Sequence, residues 1–68
     1  MKVEVSVQYA QRAYEALNDV PMLRKIMTQV ASNVFEFDEG EDDDIDDILD
    51  CVVASLEVLP EGEYVVEL

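Results

Sequence analysis

Residues 38 to 50 read DEGEDDDIDDILD, nine carboxylates in thirteen positions with no lysine or arginine among them. A run of this kind can be a solvated tail, a metal loop, the outer face of a helix, or a surface shaped to resemble another polyanion. Register separates these readings. Asp43, Asp46, Asp47 and Asp50 fall at i, i+3, i+4 and i+7, and Ile45, Ile48, Leu49 and Val52 recur at helical spacing between them. A tail has no reason to interleave acids with an apolar stripe. The segment therefore reads as a helix that keeps one face in a core and turns a row of aspartates outward.

Clustered carboxylates suit calcium or magnesium, and the EF-hand loop makes the test concrete. Starting the loop at Asp38 puts Asp43 at the sixth position, where glycine is needed, and Leu49 at the twelfth, where a bidentate Glu belongs. Starting it at Asp42 puts Asp47 and Val53 at those two positions. Both registers fail, so no metal site is expected. A zinc site of the Cys/His type is excluded by a chain with no His and one Cys.

The helix dipole accounts for a few of the acids. Asp42 to Asp47 sit in the cap and first turn, where each negative charge gains about 0.3–1 kcal/mol. It does not account for nine, because like charges four residues apart repel by a few tenths of a kcal/mol per pair. Spacing offers another reason. Four carboxylates over seven helical residues span roughly 10 Å at about 1.5 Å per residue. That is about one charge per 3 Å, close to the roughly 3.4 Å between phosphates along one DNA strand. Glu36, Asp38, Glu39 and Glu41 extend the row before the helix, Asp42 and Asp44 thicken it, and Glu57, Glu61, Glu63 and Glu67 widen it.

Three strands and three helices are expected to position these groups. MKVEVSV alternates polar and apolar residues as a half-buried strand does, with Ser6 placed to cap the first helix. Ala10, Ala13, Tyr14 and Leu17 mark that helix from Val7 to Leu17. Asn18 and Asp19 precede Pro21, and Leu23, Ile26, Met27, Val30 and Val34 predict a second helix reaching Asn33. VFEFDE is a second strand with Phe35 and Phe37 on one side, ended by Gly40. Ile45, Ile48, Leu49, Val52, Val53, Leu56 and Leu59 mark the third helix, capped by Asp42 or Asp43. A turn at Pro60-Glu61-Gly62 leads to a last strand, EYVVEL, with Tyr64, Val66 and Leu68 on one face. The expected fold is α+β, order β-α-α-β-α-β, with the helices packed on one side of a three-stranded sheet.

Composition sets the frame. The chain has 68 residues and a net charge of −13, and half its residues are apolar. It reads as one compact domain, residues 1–68, with an acidic second half; such a domain buries only about 60% of its unfolded surface. All four Lys and Arg lie at or before Lys25, while fourteen of the seventeen acids come after it. Direct nucleic-acid binding is disfavoured, and a basic partner protein is expected. No apolar run has the roughly 20 residues of a membrane span, so no membrane contact is expected and the chain is placed in the cytoplasm.

The remaining chemistry-bearing residues read as structural. Cys51 lies beside the apolar stripe of the third helix. Ser55-Leu56-Glu57 is similar to the carrier-protein attachment site, but Ala54 stands where the aspartate belongs and the serine is deep in a helix. Met22, Met27, Tyr9, Tyr14 and Tyr64 read as core filling. With no nucleophile beside a base and no phosphate-binding loop, no enzymatic activity and no cofactor are expected.

In size, charge and α+β organisation the chain resembles the small acidic DNA-mimic inhibitors of phages and mobile elements, anti-CRISPR proteins above all and uracil-DNA glycosylase inhibitors beside them. The resemblance transfers a function class and no individual residue. It implies a non-enzymatic inhibitor, at work in the host cytoplasm if phage-encoded, that blocks a basic DNA-binding surface such as that of a Cas effector. The partner-binding set expected from the sequence is Glu36, Asp38, Glu39, Glu41, Asp42, Asp43, Asp44, Asp46, Asp47, Asp50 and Glu57. The alternative is a small acidic structural or adaptor domain that docks through an apolar patch.

Overall fold

The strand at the centre of the sheet is the first in the chain. In the computed structural model, which describes residues 1–38 and 45–68, β1 (Lys2–Val5) runs between β3 (Val34–Phe37) and β4 (Tyr64–Glu67), antiparallel to both. Its alternation decides its faces. Val3 and Val5 are buried, Lys2 and Glu4 are exposed, and the register Val3↔Phe35 and Val3↔Val66 carries the same two faces across three strands.

A fourth strand corrects the expected three-stranded sheet. The second helix, α2, ends at Ile26 (Pro21–Ile26), and Met27–Ala31 forms β2, which pairs with β3 to give the order β2-β3-β1-β4. Leu23, Ile26, Met27, Val30 and Val34 do recur at helical spacing. Beyond Ile26, however, Thr28, Val30, Ser32 and Asn33 are weak helix formers. A hairpin also satisfies the backbone of β3 on its second side, which a longer helix would leave open. Met27 is already extended, at φ −88° and ψ 133°. The β2–β3 ladder breaks register between Gln29 and Ala31, so Val30 is a bulge residue.

Asn33 locks the hairpin turn to the central strand. Its Nδ2 donates to the Val5 carbonyl at 2.9 Å, and its own carbonyl accepts the Val5 N–H at 2.9 Å. Asn33→Ala removes the first bond and leaves a part-buried carbonyl short of a donor. We expect a loss of about 1 kcal/mol, read as a lower urea midpoint with an unchanged slope. An unchanged midpoint would show that the main-chain bond suffices.

Ser6 stands at the N-terminal cap position of a 3₁₀ turn, but its hydroxyl makes no capping bond. Its Oγ donates to the Glu63 carboxylate, and the chain passes through this turn, Val7–Tyr9, before α1 (Ala10–Asn18) begins. Asn18 and Asp19 do not cap α2 either. The residue at that position is Val20, held extended at φ −97° and ψ 110°, as a residue before proline must be, with Pro21 in the first turn. Arg24 and Lys25 close α2, where positive charge suits the dipole.

All three helices cover one face of the sheet. Val3, Val5, Phe35 and Phe37 form the floor of the core, and Ala13, Leu17, Leu23, Ile48, Val52 and Leu56 press onto it from above. No polar or charged residue among those described is buried with them. Tyr14 of α1 lies over Phe35 with ring centroids 6.3 Å apart. The third helix, α3 (Ile45–Ser55), stops short of the expected Leu59 and passes into a 3₁₀ turn, Leu56–Val58, and Val53, expected on its apolar stripe, is exposed. A turn over Pro60–Glu63 then returns the chain to β4, closed by Glu63 N–H to Pro60 carbonyl. Gly62 holds its third position at φ +86°, a conformation other residues adopt only with strain.

Candidate functional site

The acidic face of α3 is where its register put it. Ile48 and Val52 are buried and Leu49 is half-buried, while Asp46, Asp47 and Asp50 are exposed on the outer side. From Asp46 to Asp50 the axial distance is about 6 Å, so three carboxylates crowd little more than one helical turn. Asp46 and Asp47 lie in the first turn, where the dipole favours them. The row then changes character. Val53 and Ala54 occupy the next exposed turn, and Glu57 lies beyond them.

The other expected site residues divide between two faces of the molecule. Glu36 projects from the side of the sheet opposite the helices, in register with Thr28 on one side and Lys2 on the other. Lys2 in turn pairs with Glu67. Glu36 therefore lies in mixed-sign surroundings, facing away from Asp46, Asp47 and Asp50. Asp38 is exposed just after β3, its N–H bonded to the Ile26 carbonyl at 2.9 Å. Glu39, Glu41, Asp42, Asp43 and Asp44 lie outside the described residues, as do the expected helix caps at Asp42 and Asp43.

The acids expected to widen the row have separate roles. Glu61 is exposed in the turn before β4, Glu63 is tied to Ser6, and Glu67 sits on the outer sheet face. Glu4 belongs on that face with Glu36 and Glu67 and was not among the expected site residues. The outward alternation of Lys2 and Glu4 in MKVEVSV is the signal that places it there.

Of the shallow grooves on the described surface, one is lined by Glu36, Asp38 and Glu67, and two others lie beside α3 and β4. The first of these two lies between α1 and α3, lined by Ala16, Asp19, Val20, Cys51, Ala54, Ser55 and Val58. Cys51 is half-buried there, and Ser55 Oγ donates to its carbonyl at 2.8 Å. The second lies beside β4, lined by Leu56, Glu57, Leu59, Glu61, Gly62 and Tyr64. Among the described residues no group of three or more His, Cys, Asp or Glu is placed to hold a metal ion. No helix among them is long and apolar enough to cross a membrane.

Compared with protein families, curated proteins and solved structures, the chain matches none. The site itself must carry the functional reading.

So much charge of one sign should be felt in stability. With a net charge of −13, self-repulsion opposes the compact state. Raising NaCl from about 10 mM to about 500 mM shortens the screening length from roughly 30 Å to a few Å. We expect the melting temperature to rise by several degrees, since about 1 kcal/mol moves a domain of this size by about 4–8 °C. A melting temperature that falls with salt would mean that attractive ion pairs outweigh the repulsion.

Proposed function

We propose that this chain is a non-enzymatic inhibitor that presents phosphate-like carboxylates to a Lys/Arg-lined nucleic-acid-binding surface of a partner protein, and so denies that surface to DNA. The observation that carries this reading is the exposure of Asp46, Asp47 and Asp50 along one side of a helix whose other side is fixed in the core. Fixed charges lose little conformational freedom on binding. A field of one sign also steers a basic partner into contact. The DNA-binding surface of a CRISPR effector is the class of target that fits, reached in the cytoplasm of the host if a phage carries the gene. No cofactor or metal enters this mechanism.

The test is capture followed by competition. The chain, immobilised, is exposed to an extract rich in nucleic-acid-processing proteins and eluted with duplex DNA or a salt gradient. Displacement of a basic protein by DNA supports the reading; capture that DNA does not reverse counts against it.

One observation favours a second reading, that of an adaptor docking through an apolar patch. The groove between α1 and α3 is floored by small apolar residues, and Val58 at its rim is 55% exposed. Salt separates the two. Mimicry weakens steeply as salt rises, whereas apolar docking holds or strengthens.

A further inference from the structure

We propose that the open edge of β4 receives an extended segment of a partner protein bearing lysine or arginine, which joins the sheet as a fifth strand. The backbone is arranged for it. Ser6 N–H donates to the Glu63 carbonyl at 2.9 Å, one step beyond the Val5↔Tyr64 pair. Hydrogen-bonded pairs alternate along an antiparallel ladder. Val65 and Glu67 thus turn their backbone groups toward β1, and Tyr64 and Val66 turn theirs toward the edge, which no other strand among the described residues pairs. The Val5 N–H bond to the Asn33 carbonyl on the other side of β1 has the same parity.

Charge selects this edge over the other. β2, at the far side of the sheet, carries a bulge at Val30 that interrupts any added ladder, and it comes directly after Arg24, Lys25 and Ile26 of α2. β4 has regular register and is flanked by Glu61, Glu63 and Glu67. The groove beside it supplies a seat for a long cationic side chain. Tyr64, half-buried and backed by the core residues Leu56 and Leu59, can cover the aliphatic stem, and Glu57 and Glu61, both exposed, line the same groove. On the outer face of the sheet, Val65, 59% exposed, offers an apolar neighbour to the same strand. Strand addition of this kind takes affinity from main-chain bonds and specificity from alternate side chains. The site shares only Glu57 with the acidic face of α3 and does not rest on the phosphate-mimic reading.

The test uses the full chain, isotopically labelled, with a blocked peptide of alternating lysine and valine as probe and its glutamate–valine counterpart as control. The lysine peptide is expected to slow amide exchange at Tyr64 and Val66, and the glutamate peptide to leave it unchanged. Val66→Pro removes an edge-facing N–H without touching the β1 ladder, a position where a strand tolerates proline, and is expected to abolish binding. Glu57→Gln with Glu61→Gln should weaken binding about threefold to tenfold, as the loss of two exposed charge pairs implies. Should Val66→Pro fail to fold, exchange at the two amides in the unaltered chain decides the matter. Peptide binding without protection of Tyr64 and Val66 overturns the proposal, as does equal binding of the glutamate peptide. So does a free chain that is already a dimer with both amides protected, since a second copy then owns the edge. Binding abolished by Asp46→Asn, Asp47→Asn and Asp50→Asn but not by Val66→Pro also overturns it, while leaving the inhibitor reading intact.

Discussion

Phe35→Ala should cost the chain about a third or more of its stability. Phe35 is fully buried on a strand that pairs with both β2 and β1, and its ring meets Tyr14 of α1. Truncating a buried phenylalanine costs about 3–5 kcal/mol, part of it for the cavity left behind. A chain of this length has a total stability of about 3–10 kcal/mol, so one residue carries a large share of it. Phe35→Leu retains most of the volume and should cost far less, about 1–2 kcal/mol. Urea titrations followed by circular dichroism measure both. If Phe35→Ala shifts the midpoint by less than about 1 kcal/mol equivalent, the helices do not depend on β3 as described.

Neutralising Asp46, Asp47 and Asp50 together, each to Asn, should abolish inhibition while the fold persists. Close charge pairs at protein interfaces have coupling energies from about 1.5 kcal/mol upward. Three lost pairs therefore predict about a thousandfold weaker binding to the partner recovered by DNA elution. Stability should move by only about 1–2 kcal/mol, since two effects on α3 oppose each other. Asp46 and Asp47 each lose about 0.3–1 kcal/mol of dipole interaction, while repulsion of Asp50 by Asp46 and Asp47 is relieved by a few tenths of a kcal/mol per pair. The salt dependence of binding should flatten in the same variant. Undiminished binding by a folded triple variant would move the contact elsewhere, with Glu4, Glu36 and Glu67 on the outer sheet face as the next surface to neutralise.

The two faces of β1 and β3, the inward placement of Tyr64 and Val66, and the burial of Ile48 and Val52 were legible from period; the same period also put Val53 and Leu68 inside, and both are exposed. Each is amphipathic, and burial enforces the pattern. β2 was not legible, because it lies at an edge with Thr28, Gln29, Val30 and Ala31 all exposed and so carries almost no burial signal. Its place is fixed by backbone bonds to β3, which side-chain periodicity does not encode. Its residues also continue the helical spacing of Leu23 and Ile26. The candidate site divides in the same way. Local register oriented Asp46, Asp47 and Asp50, but the separation of Glu36 from them depends on which side of the sheet the helices cover. That is a property of the tertiary layers, and nearness in sequence alone makes Glu36 look continuous with the helix.

The central position of β1 has a consequence in time. Lys2 pairs with Glu67, a partner 65 positions further along the chain. Val3 gains one neighbour from β3 and the other only after the whole of α3 and the turn after it have been made. During synthesis the first strand therefore waits, half-paired, for the last. Contacts of such separation slow folding because the closing loop must be ordered before it is rewarded. Until β4 arrives, the side of β1 that carries the Lys2 and Glu4 backbone groups is open to any strand at hand. This domain should thus fold more slowly than its helical content suggests, and be most vulnerable to mispairing while β4 is still unmade.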